Sequence, residues 1–490
     1  MNLLKSMPTL IDAACEKLAQ SLRNLLENAS HSNSDLPPAE LISRIGHELR
    51  EGLNLVGQHV IKAVIESHDC PDVAIERNGR SYSLKDEASE KIYFTEFGQV
   101  RVARRYYHCH LGDSGIVPLD ELLEMDGHYA TPDVVERILW LSAELVPGTI
   151  AETFDKLLAI KISPKAIQNI VNQDGARIAE MIETQAEQGE ISAREIVVPE
   201  ETKILVASMD GANLRLREKG AKRVGATHRA NSKNQDLSIA TCFKNAMVGS
   251  FTFYETVDNV LDINDGSKSE CPFNRLDTFY TARMPEENYI GFKQEFMATL
   301  NSIHQALGND VEKIVLMDGA RSCWHFVEEH PDIFEGYHFL LDFYHTCEHL
   351  AKAAEAIFGK DSAKGKQWRT KWISKLKHES EAAAALIRSM TYYADRSKRR
   401  QKALQEQLTF FRNNQHLMNY HTHVMNGWPI GSGPVEAGCK TIIKSRFCRS
   451  GMRWSREGGR SILILRVLVK SGDWNYTWNH YRHRRRQMAA

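Results

Sequence analysis

Apolar residues recur at helical spacing early in the chain, first at Ile11, Ala14, Leu18 and Leu22, then at Leu41, Ile45, Leu49, Leu53 and Val56. This periodicity predicts helices to about Asp69. From Tyr93 to His108 the pattern becomes strand-like, with aromatic and β-branched residues around a turn at Gly98. Arg101, Arg104 and Arg105 beside Tyr106 and Tyr107 suit either a solvated hairpin edge or a strip that meets DNA phosphates. Two helices are expected between Asp133 and Glu183. One carries Ile150, Phe154, Leu157 and Leu158; the other opens at Ser163-Pro164, an N-cap followed by proline at the first helical position. The pair reads equally as a helix-turn-helix or a plain helical hairpin. In the former case Lys165 and Gln168 would lie near DNA.

From Lys203 the chain turns α/β. KILVASMD reads as a buried strand ending in Asp210, and LSIATCF and MVGSFTFYET as the next two strands of an antiparallel meander. A helix from Tyr289 to Leu307 shows Phe292, Phe296, Leu300 and Ile303 on one face. The strand KIVLMD then ends in Asp318, a helix spans about Ser322 to Glu329, and YHFLLD ends in Asp342. Three strands, a helix, a strand, a helix and a strand is the order of a ribonuclease-H-like sheet. Thr346 to about Tyr420 is helical again and carries the basic stretch RSKRRQK. The expected organisation is therefore an α/β ribonuclease-H-like catalytic core with an all-helical insertion, after a mostly helical N-terminal DNA-binding region. Its segments are a helical region (1–90), a hairpin with a helix-turn-helix-like region (91–200), the first part of the core (201–345), the helical insertion (346–428) and the rest of the core (429–490).

Composition narrows the class. With 490 residues, 42% hydrophobic and 26% charged, the chain has the make-up of a multi-domain globular protein. No apolar run reaches the ~20 residues that cross a bilayer. The first residues are interrupted by Lys5, Asp12, Glu16 and Lys17, which predicts a cytoplasmic protein with no membrane partner. Nine scattered cysteines do not suggest a disulfide framework. The net charge of −1 leaves any argument for nucleic acid to local clusters.

The candidate chemistry lies in carboxylates. SMDGA at Asp210 and LMDGA at Asp318 repeat one design, an apolar strand ending in aspartate and followed by Gly-Ala. Strand ends on a rigid sheet fix two carboxylates in relation to each other. Paired aspartates without histidine or cysteine suit Mg2+ or Mn2+, hard cations that prefer oxygen ligands. In GSGPVEAGCKTIIKSRF, Gly433-Pro434 sets a helix start with Glu436 in its first turn. Lys440 and Lys444 would follow on the same face, a plausible track for a phosphate backbone.

Together with DGARSCWHF, LDFYHTCEHL, GSGPVEAGCKTIIKSRFCRSGMRWS and WNYTWNHY, these residues resemble the DDE transposases of bacterial insertion sequences of the Kra group, relatives of the Mutator-like transposases. The resemblance runs from about Glu96 to Tyr481. It implies a catalytic triad of Asp210, Asp318 and Glu436 holding two ions, Mg2+ or Mn2+, roughly 3.5–4 Å apart. It implies cleavage of the mobile element's ends to leave 3′-hydroxyls, and transesterification of those hydroxyls into target DNA. The partners would be terminal inverted repeats, target DNA and further copies of the chain, in a homodimer or larger assembly. Asp342 and His345 match the family's Asp-x-x-His element; His345 would act at the site, and Asp342 would join it or hold the His345 ring in one tautomer. Relatives often carry a zinc ribbon where this chain has His108, Cys109 and His110, which cannot close a zinc site without remote ligands. Three other readings are a domesticated relative that binds DNA without cutting, a site-specific nuclease of the same fold and a helix-turn-helix regulator.

Overall fold

A computed structural model describes residues 37–77, 79–109, 115–125, 127–158, 160–219, 239–256 and 273–489, with parts of a helix between 12 and 27. The architecture is mixed α/β with two sheets. Two compact units divide it, one of Met1–Ile178 with Trp478–Ala490, the other of Ala179–Thr477. These bounds cut across the expected segments, since the chain's last helical residues belong with the first unit. No helix among the described residues is long and apolar enough to cross a membrane.

In the first unit, helix α1 (Pro38–Ser67) packs on an antiparallel sheet of β1 (Ala74–Arg77), β2 (Arg80–Thr95) and β3 (Gly98–His108). Ile65 of the helix shares a small core with Tyr93, Val100 and Val102. Thus β2 starts well before Tyr93 and lies partly within the stretch expected to be helical. Its first half is rich in Ser, Lys, Asp and Glu, and its apolar alternation is limited to Tyr82 and Leu84, too short to reveal a strand. The Arg/Tyr strip also differs from both expectations. Arg104 is buried against Asp120 at 2.9 Å, and Tyr107 is fully buried with its hydroxyl donating to the Asp72 carbonyl at 2.7 Å. Of this group Arg101 is exposed, and it pairs with Glu90. Cys109 is buried and His110 lies outside the described residues, where the zinc question also rests.

Helices α2 (Pro118–Leu122), α3 (Pro132–Ser142), α4 (Pro147–Thr153) and α5 (Pro164–Ile170) follow, so the first expected helix is broken before Pro147. Ser163 caps α5 as expected, its Oγ accepting from the Ala166 N–H at 3.1 Å. Lys165 is exposed. Gln168 is half-buried and its amide donates to Asn172 at 2.7 Å.

The second unit holds a five-stranded sheet in the order β6-β5-β4-β7-β8. Strands β4 (Ile204–Lys219), β5 (Ile239–Thr256) and β6 (Phe273–Arg283) are antiparallel neighbours, while β7 (Glu312–Met317) and β8 (Tyr337–Leu341) run parallel to β4. Two strand expectations are corrected. The segments expected as two strands of the meander form one continuous β5, apart from Leu237 and Ser238, which lie outside the described residues; the third strand is β6. And β4 does not end at Asp210 but pairs with β5 as far as Lys219.

One sheet face is covered by helix α6 (Ile290–Ala306), whose Phe296 stacks on Phe251 with ring centroids 4.6 Å apart. The helical block from Phe343 to Met425 contributes Leu350, Trp372, Leu386 and Phe411 to the core that also contains Val206 and Leu340. It is therefore welded to the sheet by shared burial rather than forming a body of its own.

Candidate active site

Register places the acids. Ala207 of β4 is level with Val315 of β7, and Met317 of β7 with Leu341 of β8. Continued to the strand ends, that register brings Asp210, Asp318 and Asp342 abreast across three neighbouring parallel strands, with ~4.8 Å between strands. The strand beside β4 stops at Met317, so Asp210 stands mid-strand with an open flank. The functional position is unchanged by the longer strand, because what ends there is the neighbour.

Glu436 reaches the row from another direction. Helix α7 (Gly433–Gly438) lies on β5 and β4, and Tyr280 Oη of β6 donates to the Pro434 carbonyl at 3.3 Å. Gly438 is what allows the approach, since a Cβ there would stand 2.8 Å from the Tyr280 ring and 3.1 Å from Val248. Val248 is the β5 partner of Asp210, so α7 sits on the face toward which Asp210 projects. Gly438→Ala is therefore expected to destabilise the protein by about 1–3 kcal/mol through overpacking. A chemical-denaturation midpoint equal to that of wild type would rule out the close contact.

Asp342 is fully buried and differs from the other acids of the row. Its Oδ1 accepts the His345 N–H at 2.6 Å, capping the helix Phe343–Phe358, and its Oδ2 accepts both the N–H and the hydroxyl of Ser432 at 2.6 and 2.9 Å. It thus ties the start of α7 to the end of β8. Its bond is to the His345 backbone, not the ring, so tautomer control is not its role. The His345 ring is half-buried; its Nδ1 lies 3.8 Å from Glu348, and its edge meets His349 and Phe410.

Electrostatics bind these groups into one site. Burial pushes the Asp318 carboxyl above its ordinary range, and the charges of Asp210 and Asp342 push it further, against the Ala320 N–H and His345. Glu436 is raised by desolvation first, then by Asp342, Asp210 and Glu348, with His345 opposing. Asp210, Asp318 and Glu436 thus feel one another's charge, with His345 in opposition. The all-oxygen, anionic character of the acids fits hard dications. Among the described residues no three His, Cys, Asp or Glu side chains stand close enough together to hold one ion.

Two features escaped the sequence reading. Cys439, buried, sets its thiol against Asp210, and the adjacent charge and burial together raise its pKa well above that of a free thiol. Residues Cys439–Lys444 also form a π-turn. Lys440 and Lys444, the two lysines expected to follow Glu436, both lie in it. Both are exposed. The buried Arg466 supports the turn by donating to the carbonyls of Thr441 and Ile442.

No protein-family model matches the chain. It is similar to a UPF0236 protein of Caldanaerobacter subterraneus subsp. tengcongensis, with 22% identity over 462 residues, spanning 92% of this chain and 82% of that protein, whose name joins eleven gene designations.

Proposed function

We propose that the protein is a DNA transposase with a ribonuclease-H-like core, cutting and rejoining the ends of a mobile element. The observation that carries the reading is the row of aspartates across β4, β7 and β8 with Glu436 delivered to it by a helix docked on the same sheet. A sheet with three antiparallel strands followed by two parallel ones, in the order β6-β5-β4-β7-β8, supports the fold assignment. Many gene designations in the name of one relative are what a self-copying element would leave in a genome.

Asp210, Asp318 and Glu436 would hold Mg2+ or Mn2+, which when bound supplies Lewis-acid stabilisation of phosphoryl transfer. The residues themselves position the reaction. Asp210 and Asp318 are fixed by the sheet, and Glu436, exposed on the first turn of its helix, is the acid free to close on the site. Asp342 and Ser432 hold that helix in place, and His345 stands where it can orient a phosphate oxygen or an attacking hydroxyl. Such chemistry needs two DNA ends held together, so the working form is a homodimer or larger assembly in the cytoplasm.

The direct test is to incubate the protein with Mg2+ and a duplex carrying the DNA that flanks its gene. Strand cleavage at inverted repeats bracketing the gene is expected; flanks without repeats, left uncut, would sink the reading. Lys440 and Lys444 are expected to meet phosphates beside the scissile bond. The Lys440→Ala, Lys444→Ala double variant should reduce the slope of log affinity against log salt by about 0.9 per lost contact. Parallel salt titrations of variant and wild type would show that both lysines are merely solvated.

A further inference from the structure

Beyond Asp210, β4 continues as a two-stranded ribbon with β5, and its residues alternate cleanly between faces. Ala212, Leu214 and Leu216 are buried on the face of Asp210, while Asn213, Arg215 and Arg217 are exposed on the other. The edge of β4 is taken up by the chain at Trp454. Trp454 N–H donates to the Arg215 carbonyl at 3.0 Å, and Arg217 N–H to the Trp454 carbonyl at 2.8 Å. Leu216 and Trp454 are level in parallel register, which sets Arg453 beside Arg215 on the open face. Across the ribbon Arg215 is paired with Phe243, whose ring is 57% exposed and lies 5.1 Å from the guanidinium.

Three exposed arginines thus share one face, and among the described residues none of the three carries an ion pair. Elsewhere in the same unit arginines are matched: Arg194 with Asp473, Arg283 with Glu295, Arg460 with Glu183. Along the strand Arg215 and Arg217 are two residues apart, about 6.8 Å, close to two nucleotide steps of one DNA strand at about 3.4 Å each. An exposed phenylalanine beside Arg215 suits the apolar side of a deoxyribose and is poorly served by water.

From this we infer that the ribbon face of Arg215, Arg217, Arg453 and Phe243 binds the phosphate backbone of duplex DNA. The inference rests on the proposed function for the identity of the anion. Strand alternation turns this face away from Asp210, so it holds a stretch of duplex other than the one at the carboxylates. Recognition is of backbone charge, without sequence readout.

The test uses the full chain and a fluorescein-labelled duplex of mixed sequence in a salt series. The triple variant Arg215→Gln, Arg217→Gln, Arg453→Gln keeps the side-chain stems and so the ribbon's packing. It should lower the salt slope by about 2–3 and weaken binding at least about tenfold at low salt. The triple Arg→Lys variant, which restores the charges, should recover the slope. An unchanged slope for the Gln variant, or wild type that does not bind the duplex, would overturn the surface. Failure of the transposase reading looks different: the wild type binds, the Gln variant loses slope, and no Mg2+-dependent cleavage occurs.

Discussion

Asp210→Asn, Asp318→Asn and Glu436→Gln are each expected to abolish the proposed Mg2+-dependent cleavage of element-end DNA, by a factor of about 1,000 or more, while duplex binding persists. Each swap keeps shape and removes one negative charge from a group of carboxylates that raise one another. The loss is of that order because electrostatic stabilisation of phosphoryl transfer is commonly worth several kcal/mol. A second readout follows from the raised carboxyls. A folded-state pKa above the unfolded value makes ionisation a cost to the fold, absent below the unfolded pKa and growing as pH rises through the folded one. At neutral pH without divalent ions, Asp318→Asn is therefore expected to melt above wild type, with Asn still able to accept the Ala320 N–H. Mg2+ should stabilise wild type more than the variant. Wild-type cleavage by any one amide variant would remove that residue from the triad, and equal melting with and without Mg2+ would count against a cation site.

Asp342→Ala is expected to be the most destabilising single change at the site, by about 3–5 kcal/mol. It strands three donors, two of them on the buried Ser432: the Ser432 N–H, the Ser432 hydroxyl and the His345 N–H. Ser432→Ala removes only the hydroxyl bond and should cost about 1 kcal/mol. The comparison is made by denaturant titration of the two variants side by side. Equal losses would mean that Asp342 does not tie β8 to α7.

Much of the site was legible because its signals are local. Apolar runs ending in Asp210, Asp318 and Asp342, and a Gly-Pro helix start before Glu436, are short patterns read without knowing the partners. The end of β4 was misplaced because Gly211-Ala212-Asn213 has the composition of a strand terminus, while its persistence depends on pairing with β5, a non-local term that overrides local preference. Strand β6 was missed because Asn274, Arg275 and Asp277 break the apolar alternation at its start. The π-turn after Gly438 could not be read at all, since one extra residue in a turn leaves the sequence pattern intact. The bond from Asp342 to Ser432 could not be read, because the two residues lie 90 positions apart.

The bond from Asp342 to Ser432, with the Phe343 N–H donating to the Ile430 carbonyl at 2.9 Å, brings the two ends of the helical block together at a single point. A segment whose entry and exit coincide can change length without displacing what it is anchored to, because lengthening a closed loop costs only slowly rising entropy. The strands obey the opposite rule, since one residue added to β4 or β7 would swing an aspartate to the other face of the sheet. Insertions and deletions should therefore be tolerated within residues 359–362 and 395–397, between helices of the block, and be lethal to activity between Ile204 and Asp210 or between Glu312 and Asp318. Length can vary in the block's linkers, while its helices share the sheet's core and the strands are the ruler against which the acids are set.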